Sequence, residues 1–288
     1  MELIGVLVDM KQDPKTIIDI NIDPGLDRKS IQRKIVKNEI NISKFHLNKD
    51  KLDKRDYKYT PIGSNLQTKV DLRRYCTQIE HQGNLGSCTG QAIAGAIELL
   101  NNRNNKPTDV SRLYIYYWER YLMGTINYDS GAYIRDGIKA TNKYGAPLEK
   151  YWPYVISRFK NRPTLTAEND GKRRKVLRYE RVLDHNGCID ALNQGYPIII
   201  GFYVYSSFIT SSVNRNGMMP YPNTTRERFL GGHAVLLVGY DTIQETYIAR
   251  NSWGVYWGDA GYFYMPFRVI QNPGMSMDFW IIKEVQNP

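Results

Sequence analysis

From Cys88 to about Leu100 the chain reads Cys-Thr-Gly-Gln-Ala-Ile-Ala-Gly-Ala-Ile-Glu-Leu-Leu, small and apolar almost all round. That pattern predicts a helix buried at the centre of a domain. A second helix is expected over Ser111 to Leu122, its aromatics Tyr114, Tyr117, Trp118 and Tyr121 forming a core-facing stripe. A third spans Tyr133 to Tyr144, where Gly145 stops it. The second half of the chain reads as strands. Tyr196 to Tyr205, Ala234 to Tyr240, Thr246 to Arg250 and Gly261 to Met265 are β-branched or aromatic and bounded by Gly, Asn or Asp. Helices first and strands second predict an α+β architecture, two subdomains meeting at a cleft.

Residues 1–68 have another texture, rich in Lys, Asp, Ile and Asn and lacking Trp. Leu3 to Val8 predicts a short buried strand. Ser30 caps an expected helix with Ile31, Ile35, Val36 and Ile40 on one side and Lys34 and Lys37 on the other. The Pro, Gly and Ser between Lys58 and Leu66 predict an extended linker. The expected division is therefore an amino-terminal segment, 1–68, and a main domain, 69–288. The start of the chain does not read as a signal peptide, because Glu2 precedes the apolar stretch and Asp9 ends it after six residues. The expected compartment is the cell interior (the cytoplasm) or a particle assembled there.

The longest strongly apolar run, Tyr196 to Tyr205, falls well short of the ~20 residues of a membrane span. Three cysteines among 288 residues allow at most one disulfide, so stability must come from burial. The 39 Lys and Arg against 29 Asp and Glu leave a net charge of +10, which favours acidic partners in general. Much of the excess falls between Arg158 and Arg181, expected to be a solvated face. No nucleic-acid recognition motif and no zinc-binding spacing accompanies it. His46 and His185 lack ligand-spaced partners, so neither metal nor other cofactor is implied. His81 is read as a loop residue, and Cys76 and Cys188 as structural thiols whose pairing is left open.

The informative stretch is Gln82-Gly83-Asn84-Leu85-Gly86-Ser87-Cys88, a Gly-rich loop that delivers a cysteine to the first turn of the buried helix. There the helix dipole and unsatisfied amides favour a thiolate, and the same amides can donate to an oxyanion. Gly231-Gly232-His233-Ala234 places a histidine at the start of a strand. One strand later comes Asn251-Ser252-Trp253-Gly254, followed by Trp257-Gly258 and Gly261-Tyr262. In order, spacing and surroundings these three motifs resemble the papain-like cysteine peptidases, the family of papain and the cathepsins, in a divergent microbial or large-virus branch.

The resemblance implies a papain-like fold with a helical left and a β-rich right subdomain. It implies Cys88 as nucleophile paired with His233, Asn251 orienting the histidine, Gln82 in the oxyanion hole and Trp253 shielding the His233–Asn251 bond. Gly131, Ala132 and Gly232 are the implied substrate-binding positions. The substrate is then protein or peptide, hydrolysed through a thioester, with endopeptidase action as the default. Residues 1–68 resemble a propeptide in position, though not in helix signature. The rival is a permanent arm whose Leu3 to Val8 strand joins a sheet edge. Two departures stand out. Leu85 lies where papain and the cathepsins carry a disulfide cysteine, and Thr89 replaces their aromatic residue after the nucleophile. Without those disulfides the enzyme suits a reducing compartment, the cytoplasm or a virion if the source is viral. The alternatives are a papain-fold acyltransferase, and an inactive binding or virion-structural protein using the basic stretch.

Overall fold

The computed structural model describes residues 6–8, 17–19, 45–63 and 65–286. One half is built on three helices, α1 (Cys88–Arg103), α2 (Arg112–Met123) and α3 (Ile134–Tyr144). Helix α1 is buried from Cys88 through Asn101. Its small residues permit this. A Cβ on Gly90 would lie 2.8 Å from the Arg112 carbonyl oxygen, so α1 and α2 touch backbone to side there. The Ser111 hydroxyl caps α2 by accepting the Tyr114 amide at 3.1 Å, and Gly124 ends it in the left-handed conformation. Of the expected aromatic stripe, Tyr114, Tyr117 and Trp118 are buried, but Tyr121 is half-exposed with its ring edge against Trp118.

The other half is an antiparallel sheet: β3 (Lys69–Asp71), β4 (Val176–Arg181), β5 (Ile198–Tyr205), β6 (Phe229–Asp241), β7 (Thr246–Arg250), β8 (Tyr262–Pro266) and β9 (Ser276–Val285). The spatial order is β4-β9-β5-β6-β7-β8, with β3 pairing β6. The sequence pattern had not pointed to β3, β4 or β9. Helix α1 lies against β6, its Gly95 close to the Leu236 side chain. One apolar cluster joins α1 to the sheet, and a smaller one gathers Leu85, Trp118 and Trp152 around α2. The whole is an α+β fold of two subdomains. No helix among the described residues is long and apolar enough to cross a membrane.

The amino-terminal expectations meet mixed outcomes. β1 (Val6–Val8) pairs antiparallel with β2 (Ile17–Asp19) in a ribbon of its own, and not with an edge of the main sheet. The helix expected after Ser30 lies outside the described residues. The stretch read as an extended linker is docked at its start. Tyr59 is buried, and its hydroxyl donates to Asp190 at 2.5 Å, while the amides of Ile62 and Gly63 donate to the same carboxylate.

Arg158 to Arg181 is largely a solvated face, as expected: Arg158, Lys160, Arg162, Lys172, Arg173 and Arg178 are exposed, and only Arg174 of its nine basic residues is buried. It holds α4 (Leu165–Gly171) and β4. Arg174 is buried on Asp170 at 2.7 Å, Arg162 meets Glu168 at 2.9 Å, and Arg178 meets Glu180 at 2.6 Å. Arg181 reaches Asp50, Asp56 and Asp278. Arg181 thus ties the stretch to the core, while the stretch's exposed side chains leave positive charge at the surface.

Candidate active site

Cys88 is the first residue of α1 and is fully buried. Ser87, at the N-cap position, does not cap; its hydroxyl lies 2.6 Å from that of Tyr154. The first-turn amides are therefore not consumed by a cap, and the Thr89 and Ala234 amides both act on the Cys88 sulfur. Thr89 donates its hydroxyl to Glu119 at 2.7 Å. Burial pushes that carboxyl up to about 8, and its charge, where present, adds to burial in raising the Cys88 thiol.

His233 sits on β6, opposite Phe202 of β5. Its Nε2 lies 2.9 Å from Oδ1 of Asn251, just past the end of β7. That oxygen also accepts the Ser252 amide at 2.9 Å, which fixes the Asn251 side chain. The Trp253 indole stacks on the imidazole, 5.0 Å between centroids and 28° between planes. Histidine, asparagine and tryptophan are all buried, so the hydrogen bond is kept from water. Gln82 is buried beneath the same loop. Its Nε2 donates to the Leu85 carbonyl at 2.9 Å and its Oε1 accepts the Ser252 hydroxyl at 2.7 Å. The amide is thus oriented at both ends.

The cleft is filled by the chain itself. Leu47 donates its amide to the Gly232 carbonyl at 3.2 Å, and Asn48 donates its amide to the Ala132 carbonyl at 3.0 Å. A Cβ on Gly131, where φ is +63°, would lie 1.7 Å from the His46 carbonyl oxygen. The Phe45 ring packs edge-on against His233 at 5.9 Å and Trp253 at 5.7 Å. All three expected substrate-binding positions, Gly131, Ala132 and Gly232, therefore touch residues 46–48. This strap escaped the sequence reading. Its one signal was the pair Phe45 and Leu47, apolar residues isolated in a polar stretch.

Burial changes the Cys88 thiol. A helix N-terminus is expected to lower the thiol pKa, yet burial outweighs it and pushes Cys88 up to about 12. With the strap in place the sulfur is a neutral thiol. Cys76 and Cys188 are likewise free thiols, pushed upward by burial. His81 is exposed, its Nδ1 accepting the Gly83 amide at 2.9 Å. His185 accepts or donates at 2.7 Å with the Tyr247 hydroxyl, and His46 belongs to the strap. No cluster of three potential metal ligands occurs among the described residues.

A sequence model of the papain family of cysteine proteases matches residues 66–281. The chain belongs to this family. It is 38% identical over 257 residues to an uncharacterized peptidase C1-like protein of Acanthamoeba polyphaga mimivirus, covering 82% of each chain. It is 28% identical to cathepsin B of Dictyostelium discoideum over 71% of each. Among solved structures it resembles xylellain, a cysteine protease from Xylella fastidiosa, with a TM-score of 0.79 and 36% identity over 86% of this chain and 97% of that one. A digestive procathepsin L of Tenebrio molitor shares the fold, with a TM-score of 0.67 and 19% identity over 86% of this chain and 78% of that one. The protein is a papain-family cysteine protease, a hydrolase.

Proposed function

We propose that the protein is an endopeptidase made in a self-blocked form, with Cys88 as nucleophile and residues 45–50 as the block. The observation that carries this reading is the pair of backbone hydrogen bonds from Leu47 and Asn48 to the two walls of the cleft, beside the fully buried Cys88. Those are the contacts an extended peptide substrate would make. The strap is an internal stretch, covalently continuous on both sides, so the cleft accepts a chain without a free end. That supports cleavage within chains. The zymogen reading draws further support from the procathepsin neighbour.

Once the strap leaves, water and substrate reach Cys88 and the burial penalty falls. With Nε2 held by Asn251, Nδ1 of His233 takes the thiol proton. The thiolate attacks the carbonyl carbon of the scissile bond. The resulting oxyanion is stabilised by the Gln82 side-chain amide and the Cys88 backbone N–H. Collapse expels the amine, which takes the proton from His233 and leaves a thioester. A water molecule, deprotonated by His233, then releases the acid and restores the thiol. No metal or other cofactor takes part in this sequence.

Intact-mass labelling by an epoxysuccinyl inhibitor tests the reading on the full chain, on residues 69–288 alone and on Cys88→Ala. One adduct on residues 69–288, none on Cys88→Ala and slow labelling of the full chain are expected. Residues 69–288 should also hydrolyse an unstructured protein at internal bonds. Equal labelling of the two wild-type chains would overturn the blocking role. A folded 69–288 chain without labelling would overturn the peptidase mechanism.

A further inference from the structure

The loop that carries the nucleophile has no covalent anchor. Leu85 is buried in the aromatic cluster around α2, and all three cysteines of the chain are free. The backbone beside it is held by a carboxylate instead. The Gly86 amide donates to the two oxygens of Asp129 at 2.9 and 3.2 Å. Tyr116, fully buried on α2, donates its hydroxyl to the same carboxylate. The Tyr116 oxygen in turn accepts the Gly131 amide at 3.1 Å. A continuous chain of hydrogen bonds thus runs from Gly86, two residues before the nucleophile, to Gly131, on the cleft wall.

The geometry of each member is constrained. Tyr116 is clamped from its other side by the Arg120 guanidinium, 4.4 Å from the ring centroid, and Arg120 is itself anchored on the Ile126 carbonyl at 2.9 Å. The 125–131 turn is braced by the Thr125 and Ser130 hydroxyls, 2.7 Å apart. A Cβ on Gly86 would come within 3.0 Å of Asp129 Oδ1, so the loop approaches the carboxylate as closely as a glycine allows. An ionised acceptor with two or more donors is the strong kind of hydrogen-bonded junction.

We propose that Asp129, with Tyr116, is a positioning residue that sets the Cys88 loop against the Gly131–Ala132 wall, giving this enzyme a redox-independent clamp between nucleophile and substrate backbone. The proposal rests on the peptidase reading above. Two consequences separate it from a merely structural role. Loss of the loop end should slow attack by the sulfur, whereas loss of the wall end should weaken substrate binding. Burial chiefly raises the Cys88 thiol pKa and the Asp129 charge adds a smaller push in the same direction, so removing that charge should move the acid limb of kcat/KM slightly to lower pH.

The test uses the full chain in two backgrounds, wild type and the strap-loosening Asp50→Ala. Asp129→Ala, Asp129→Asn and Tyr116→Phe are introduced into each, and Cys88 alkylation and peptide hydrolysis are followed. Asp129→Ala should lower kcat and the alkylation rate about tenfold or more, in the range seen when a reacting group is misplaced. Tyr116→Phe should raise KM several-fold and lower kcat less. Asp129→Asn keeps an acceptor for Gly86, so it should fall between them and shift the acid limb downward. The double variant Tyr116→Phe/Asp129→Ala should cost less than the two single losses combined, because both belong to one chain of bonds. Kinetic constants within twofold of the reference, with only the melting temperature lowered, would overturn the proposal and leave the peptidase reading standing. Absence of Cys88 alkylation in both backgrounds and in folded residues 69–288 would overturn both.

Discussion

Asp50 and Trp280 are 230 positions apart in the chain, and the Trp280 indole donates a hydrogen bond to the Asp50 carboxylate at 2.8 Å. The same carboxylate accepts Nη2 of Arg181 at 3.1 Å and the Arg135 amide at 3.2 Å. The Asp50 amide donates to Asp278 at 2.7 Å, and Asp56 joins Arg135 to Arg181. The Arg181 and Arg135 guanidiniums lie over the Trp280 ring at 4.5 and 5.6 Å. This buried knot, just beyond the strap, fastens it to β9, β4 and the start of α3. Removing one member of a buried ionic group costs about 3–5 kcal/mol. Asp50→Ala should therefore speed inhibitor labelling of Cys88 in the full chain by about a hundredfold, taking the lower figure. A labelling rate equal to wild type would show that the knot does not hold the strap.

The knot also sets a direction for pH. Burial, and next the neighbouring Asp50 charge, push Asp278 up to about 6, and burial raises Asp50 as well. Asp136, facing the same knot, is raised chiefly by burial and by Asp50, while Arg135 and Arg181 supply the opposing charge. With the strap undocked, Asp278 and Asp50 return toward the ordinary ~3.9. The docked state then binds more protons than the undocked one. Docking is fully favoured below about 4 and weakens as pH rises through about 6. The full chain, normalised to residues 69–288, should label faster at pH 7.5 than at pH 4.5. The opposite order would refute this linkage and point to acid as the trigger.

Ser252 holds the Gln82 amide by its carbonyl oxygen at 2.7 Å. Ser252→Ala frees that amide to turn. In residues 69–288 the substitution should lower kcat about tenfold with little change in KM, and Gln82→Ala should lower it by about 10²–10³, as for other oxyanion donors. A pure KM effect for either variant would remove Gln82 from the oxyanion site.

Alkylation with iodoacetamide should distinguish the three thiols. Cys188 is fully buried and Cys76 half-buried, and burial pushes both pKa values up. Peptide mapping of the native 69–288 chain should find one carbamidomethyl group, on Cys88. Activity should also be unchanged by dithiothreitol once Cys88 is reduced, because no disulfide supports the fold. Loss of activity on prolonged reduction would contradict that.

The candidate site was legible because each part carries a local signature. A glycine-rich loop entering an all-round apolar helix marks Cys88, and glycines before an apolar strand mark His233. The overlooked strands lack such marks. β4 reads Val-Leu-Arg-Tyr-Glu-Arg, where pairing of Arg178 with Glu180 makes charge compatible with a sheet, yet in sequence it merges into the basic run. The strap was illegible for a different reason. Phe45 and Leu47 have no periodicity of their own, and their place is set by glycines far away at 131, 201, 231 and 232 that leave room for them. The raised Cys88 pKa follows from that enclosure, so it too lay beyond any local reading.

The docked segment does not end at the cleft. Tyr57 and Tyr59 exchange backbone hydrogen bonds with Arg181 at the β4 edge, at 2.7 and 2.8 Å, and Asp190 grips Tyr59 and the two amides that follow. Beyond that grip, Leu66 is exposed. A single cut beside Leu66 would sever the tether and leave the contacts of residues 45–63 in place. Inhibition would pass from an intramolecular effective concentration, millimolar for short tethers, to the bulk concentration of the protein. Nicked enzyme would then stay silent where it is crowded and awaken on dilution, so that the volume into which it is released becomes the timer.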